Sequence, residues 1–150
     1  MILHIGSDHA GFELKEKLKK YLADLPAGEV GKKYEVTDHG CYSEERADYP
    51  DYAHKVAESI LADKDSLGIL MCGSGNGINI TANKHASIRA ALCWTPEIAA
   101  LARQHNNANI LTLPARFIDY KTATQCIDAF LSNIFEGGRH ADRVKKIDIC

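Results

Sequence analysis

Residues 68–84 read GILMCGSGNGINITANK. An apolar run ends in a thiol, Cys72, passes through glycines at positions 73, 75 and 77, and continues into a segment of helical character. A short apolar run bounded by a turn is the pattern of a buried strand. The stretch therefore reads as a strand over Ser66–Cys72, a glycine turn, and a helix over about Gly77–Lys84. A strand that feeds a helix through a tight turn is the repeating unit of a parallel sheet covered by helices.

The turn fails two familiar tests. No lysine follows the glycines at the offset that G-x-x-x-x-G-K-[ST] requires, and Ile78 stands where the third glycine of G-x-G-x-x-G would fall. What remains is a nest of backbone N–H groups at a helix N-terminus. Such a nest favours an anion, either a phosphate or an oxyanion that develops during a reaction. Cys72 stands in the same field, which favours its thiolate. A thiolate beside a row of N–H donors would be a base or nucleophile next to an oxyanion hole. The structural alternative is a buried last residue of a strand.

Outward from this unit the alternation continues. Met1–Ile5 and Tyr34–Thr37 read as strands, with a helix over Phe12–Leu22 between them and a loop marked by Pro26, Gly28 and Gly31. After a polar stretch to Pro50, a helix is predicted from near Asp51. Beyond residue 84 come a strand over Ile88–Cys93 and a helix opened by Thr95-Pro96-Glu97, which supply an N-cap, a first-turn proline and a first-turn acid. A strand over Asn109–Leu113 and a helix over Asp119–Ile134 follow. Gly137-Gly138 precede a last basic helix, about 139–147. Five strands alternating with helices predict an α/β fold with a five-stranded parallel sheet covered on both faces. Ligands of such folds sit beyond the carboxyl ends of the strands, after Ile5, Thr37, Met71, Cys93 and Leu113.

The chain has 150 residues, 45% hydrophobic and 25% charged, enough for one ordinary domain with a real core. Its formal net charge of -2 gives no pull toward nucleic acid or an anionic membrane. No apolar run approaches a membrane span, and MILHIGSDHAG is too polar after Ile5 for a signal peptide, so a cytoplasmic protein is expected. The five cysteines are odd in number, widely spaced and without C-x-x-C, which argues against disulfides and zinc. Cys93 and Cys126 read as small buried hydrophobes, and Cys41 as a surface residue. The seven histidines form no H-E-x-x-H or similar pair, so no metal and no cofactor is expected.

Other loops carry candidate chemistry, each beside a structural reading. Asp8 and His9 lie in GSDHAG, where Asp8 could equally cap a helix. His105 and Asn106 follow Arg103 in ARQHNNANI, where His105 could satisfy terminal carbonyls. Arg116 follows the fifth strand. Arg139 and Arg143 lie four apart on one helix face, which is either solvated or a phosphate clamp.

Taken together, SDHAGFELK, ERADYPDYA, GILMCGSGNGINITANK, RQHNNANIL and FEGGRHADRV occur in the order found in type B ribose-5-phosphate isomerases, and the sequence resembles that family from Ile5 to about Val144. The family also includes the galactose-6-phosphate isomerase subunits. The resemblance implies a Rossmann-like three-layer α/β/α sandwich, assembled as a homodimer or a dimer of dimers whose active sites use residues of both chains. It implies that the C-terminal helix packs on the partner. It further implies a cofactor-free aldose–ketose isomerase of a small sugar phosphate. Cys72 would be the base moving a proton between C1 and C2, and Ser74 a neighbouring hydroxyl. The loop from Gly73 through Gly75 and Asn76 to Gly77 would stabilise the enediolate. His105 would open the furanose ring, and Asp8 would act on ring oxygens. Tyr49 and Asn106 would contact the sugar, and His9, Arg116, Arg139 and Arg143 the phosphate. Asn76 stands where a second branch of the family carries a carboxylate base, so the sequence resembles the cysteine branch. A six-carbon sugar phosphate such as allose or galactose 6-phosphate is the rival substrate. A non-catalytic binding module is the rival of another class, since fold alone does not fix function.

Overall fold

A computed structural model describes residues 1–25 and 34–148. The elements follow in the order β1 (Ile2–Ser7), a 3₁₀ turn (His9–Gly11), α1 (Phe12–Asp24), β2 (Glu35–Asp38), α2 (Tyr49–Ala62) and β3 (Leu67–Cys72). Then come α3 (Asn76–Ala82), β4 (Ala90–Leu92), α4 (Pro96–Asn106), β5 (Ile110–Pro114), α5 (Tyr120–Ser132) and α6 (Arg139–Val144). The predicted loop through Pro26, Gly28 and Gly31 lies outside the described residues, as does Cys150.

All four strand pairings are parallel, in the order β2-β1-β3-β5-β4. β3 is buried along its whole length, because strands covered on both faces have no polar side. Its residues alternate between two cores. Leu67, Ile69 and Met71 join Leu3, Ile5, Leu18, Leu22, Leu111, Ile127 and Phe130 on one face. Leu70 and Cys72 join Val56, Ile60, Ile78, Ile88 and Ile110 on the other, where α2 and α3 pack. Each such buried Leu or Ile contributes about 1.5–3 kcal/mol relative to exposure. Two faces, each covered by helices, make the expected three-layer sandwich.

The strand order fixes where a ligand can sit. From β1 the chain crosses to β2 on one side, and from β3 it crosses past β5 to β4 on the other. The ends of adjacent β1 and β3 thus part company, which opens a crevice beyond their carboxyl ends.

Local rules account for most boundaries. Thr95 accepts from the Ile98 N–H at 3.4 Å, with Pro96 opening α4. Cys93 and Cys126 are fully buried as expected; burial pushes their thiols up to about 12 and about 11. Two expectations need correction. α2 begins at Tyr49 rather than Asp51, since Pro50 fits its first turn and fixes a helical φ. Cys41 is buried, 3% exposed, because the chain after β2 folds back over β1, with Cys41 N–H donating to Ser7 O at 2.8 Å.

Candidate active site

The crevice between β1 and β3 is formed by the segments 7–11 and 72–76. Register pairs Ser7 with Met71, so Asp8 follows directly beside Cys72. The two loops are locked together: Asp8 N–H donates to Met71 O at 3.3 Å. The Asp8 carboxylate accepts from Gly11 N–H at 3.1 Å, the capping role the sequence left open. Gly11 permits this approach, since a Cβ there would lie 2.7 Å from the Met71 carbonyl oxygen.

Cys72 ends β3 at 4% exposure, and its carbonyl accepts from Ala115 N–H at 3.0 Å. Gly75 then turns the chain with φ +74°, where a side chain would collide with Leu92. The left-handed turn leaves the N–H groups of Ser74 and Gly75 without an acceptor among the described residues. The Ser74 hydroxyl is exposed and accepts from Asn76 N–H at 3.3 Å. A buried thiol thus stands beside two free amide donors and an exposed hydroxyl.

Three further side chains frame this loop. Arg116 N–H donates to Gly73 O at 3.0 Å, and its exposed side chain lies over Gly73. A Cβ at Gly73 would meet the Arg116 Cδ at 3.4 Å and Nε at 3.5 Å. The Tyr49 ring covers Gly77, and a Cβ there would stand 2.5 Å from Cζ. His9 Nδ1 lies 3.2 Å from Ala47 N, which ties the first loop to the entry of α2.

The remaining predicted residues lie elsewhere. α4 runs back along the sheet, so His105 and Asn106 reach the edge where the strands begin, next to β5. From the Cys72 end this is about 15–20 Å, from the rise of a six-residue strand and an eleven-residue helix. They are the last two residues of α4, close to the helix end at which the sequence reading placed His105. Arg139 and Arg143 keep company with His105, because α6 packs on the end of α4. His140 is 7% exposed and stacks on His105, with ring centroids 4.1 Å apart and planes within 5°. Within one chain, therefore, Asp8, His9, Tyr49, Cys72, Gly73, Ser74, Gly75, Asn76, Gly77 and Arg116 form one group. His105, Asn106, Arg139 and Arg143 form another at the opposite edge.

Sequence reasoning missed the surroundings of the second group. Glu136 Oε2 lies 3.8 Å from His105 Nε2 and 3.9 Å from His140 Nε2. Burial, with His105 and Arg139 nearby, holds His140 below the ordinary imidazole value. The Glu136–His140 spacing of four was legible, but their meeting with His105 depends on a chain reversal at Gly137-Gly138.

No helix among the described residues is long and apolar enough to cross a membrane. A family model described as Ribose/Galactose Isomerase matches residues 3–147. The chain is 44% identical over 142 residues to ribose-5-phosphate isomerase B of Escherichia coli strain K12, covering 95% of this chain and 91% of the relative. It is similar to the crystal structure of a ribose 5-phosphate isomerase from Thermotoga maritima, at 56% identity and a TM-score of 0.89, covering 98% and 97% of the two chains. It is also similar to ribose-5-phosphate isomerase B of Mycoplasma genitalium solved with bound ribulose-5-phosphate, at 41% identity and a TM-score of 0.87, covering 97% and 93%.

Proposed function

Since this chain belongs to the ribose/galactose isomerase family, we propose that it interconverts ribose 5-phosphate and ribulose 5-phosphate through an enediolate. The observation that carries the reading is the thiol of Cys72 beside the free N–H groups of Ser74 and Gly75. His105 assists ring opening, and the open aldose places C1 and C2 at Cys72. The thiolate takes the proton from C2, the C2–H electrons form the C1=C2 bond, and charge moves onto O1. The amides stabilise that oxygen where its charge develops. Cys72 returns the proton to C1 while the O2 proton passes by way of Ser74 to O1, which leaves O1 a neutral hydroxyl and C2 the ketone carbon. Ser74 assists at the hydroxyls, Asp8 acts near the ring oxygens, and Tyr49 and Asn106 contact the sugar. Arg116, Arg139, Arg143 and His9 hold the phosphate, with guanidinium forks suited to its oxygens. The steps assigned to these residues call on no resident metal or cofactor. A cytoplasmic location accords with a small phosphorylated substrate.

Such a site requires both residue groups, which one chain holds at opposite edges. Two copies paired about a two-fold axis would bring the His105 edge of each against the Cys72 loop of the other. The surface beside the loop supports this. Trp94 and Phe117 are 52% and 76% exposed, and with Leu92 and Pro114 they line a cavity of about 510 Å³ adjoining Ser74 and Asn76. An exposed apolar patch at a site mouth is what a partner subunit would cover. In this reading α6 packs on the partner, and a dimer of dimers would repeat the same sites.

Subunit complementation tests the shared site. Cys72→Ala and His105→Ala homodimers should each be inactive. Mixed and allowed to exchange, half the dimers become hybrids with one intact site of two, restoring about one quarter of wild-type activity by symmetry. Absence of any restoration, with exchange shown by mass spectrometry, would place both residues in one chain's site, and an active homodimer of either variant would remove that residue from catalysis.

A further inference from the structure

His105, Glu136 and His140 supply three metal-ligating side chains whose donor atoms all lie within 4.8 Å of one another. From this geometry we infer a divalent transition-metal site, best suited to Zn²⁺, that takes His105 as a ligand and thereby inhibits the enzyme. The inhibitory part rests on the role proposed for His105 above; the binding part does not.

The donor chemistry selects the ion. Two imidazoles and one carboxylate suit zinc, whereas Mg²⁺ and Ca²⁺ prefer all-oxygen shells. A tetrahedral Zn²⁺ with ligand bonds of about 2.0–2.2 Å needs donors about 3.3–3.5 Å apart. Glu136 Oε2 is already 3.8 Å and 3.9 Å from the two Nε2 atoms. Glu136 need close on each nitrogen by only about 0.3–0.6 Å, but ring planes 5° apart share no ion, so one imidazole must turn well out of the stack to aim its nitrogen at the metal. The tilt falls to His105, whose side chain is 36% exposed, because that of His140 is only 9% exposed.

The backbone around the donors is braced. Glu136 N–H donates to Gln104 O at 3.0 Å, and Gln104 Nε2 to Asn133 Oδ1 at 2.7 Å. His140 N–H donates to Gly137 O at 3.0 Å, closing the turn that returns His140 toward Glu136. Glu136 is half-exposed in the single chain, and in the paired molecule proposed above the fourth position faces the substrate cleft that His105 serves, which gives an entry path. A metal here would draw the His105 imidazole toward Glu136 and away from the substrate, and would take up a ring nitrogen that proton transfer needs free.

The test titrates Co²⁺, as a spectroscopic substitute for Zn²⁺, into the metal-free wild type and into Glu136→Gln, which removes the carboxylate but keeps its shape. The expected wild-type result is a set of intense visible d–d bands of a four-coordinate ion, displaced by Zn²⁺. Glu136→Gln should weaken binding by at least about tenfold, the least that disturbing a ligand set costs. In parallel, Zn²⁺ should inhibit the wild type and EDTA should restore it, while Glu136→Gln keeps its activity and resists Zn²⁺. Equal Co²⁺ affinity in wild type and variant would overturn the site. So would a sulfur-to-metal charge-transfer band lost in Cys72→Ala, which would place the metal on the thiol. Tetrahedral Co²⁺ bound through Glu136 without effect on turnover would leave the metal site standing and overturn the inhibition. Co²⁺ binding in a protein with no isomerase activity would instead refute the function proposed above.

Discussion

Lys15 is the least expected residue of the interior, and removing it or its partner should give unequal costs. Its side chain is fully buried, with Nζ 2.7 Å and 2.6 Å from the two oxygens of Asp38 and 3.0 Å from Glu16. Asp38 also accepts from Lys19 at 2.6 Å and from Gly40 N–H at 2.9 Å. Gly40 O in turn accepts from Ser7 N–H at 2.7 Å, so the pair anchors the segment beside the loop over residues 7–11. Lys15→Met leaves Asp38 with two partners and fills the stem's volume; the loss is about 1.5–3 kcal/mol, that of a hydrogen bond to a charged group. Asp38→Ala leaves a buried ammonium with part-exposed Glu16 as its one hydrogen-bond acceptor among the described residues, beside the Phe12 and Tyr42 rings, and breaking a buried pair in that sense costs about 3–5 kcal/mol. The difference of about 2 kcal/mol corresponds to a Tm gap of about 4–8 °C at this chain length. Urea and thermal unfolding followed by circular dichroism, at one protein concentration, measure both. Burial alone would raise the Asp38 carboxyl, but hydrogen bonds from Lys15, Lys19 and Gly40 outweigh it and hold the group below the ordinary carboxylate range. Its stabilisation is therefore present above that range and lost as pH falls through the lowered value. The gap between wild type and Asp38→Ala should narrow in acid. Lys15→Met costing as much as Asp38→Ala would refute the reasoning.

Other expectations are as specific. Cys72→Ala should lower kcat by about 10²–10⁴-fold, the usual worth of a general base, with substrate binding by calorimetry little changed; retained turnover would remove the thiol from the mechanism. Gly77→Ala should cost about 1 kcal/mol, at the low end of overpacking because half-exposed Tyr49 can swing aside, and should raise KM. An unchanged KM would detach Tyr49 from the sugar. His4 and His39, with Nδ1 and Nε2 2.9 Å apart, are each held below the ordinary imidazole value, chiefly by burial. The unfolded chain binds their protons more readily, so stability should fall as pH drops below about 6.5, and His4→Phe should flatten that slope. An unaltered slope in the variant would assign the acid sensitivity to other groups.

The parts legible in sequence are those governed by local chemistry. The strand–glycine–helix unit around Cys72 announces itself because a fully buried strand must be apolar and its turn needs a positive φ at Gly75. Thr95-Pro96 fixes the start of α4 for similarly local reasons. Tyr49 was placed before its helix, because Pro50 looks like a breaker when it is compatible with a first turn. His105 was legible as the end of a helix, but no local signal says that a helix antiparallel to the strands delivers that end to the edge opposite Cys72. Cys41 passed for a surface residue because its burial depends on backbone pairing with Ser7, far away in sequence. His140 meets His105 through the long-range packing of α6 on α4, and Glu136 through its N–H bond to Gln104 O, neither of which a short motif encodes.

The central claim is isomerisation through an enediolate by the site that Cys72 anchors. Proton NMR of ribose 5-phosphate with the purified protein in D2O, with EDTA present, tests it most directly. Ribulose 5-phosphate should appear, with deuterium entering at the carbon that exchanges, and both should vanish in Cys72→Ala. Turnover of allose 6-phosphate in place of ribose 5-phosphate would keep the mechanism and change the substrate. No turnover and no exchange with either sugar phosphate would contradict the account and leave a binding module on this fold.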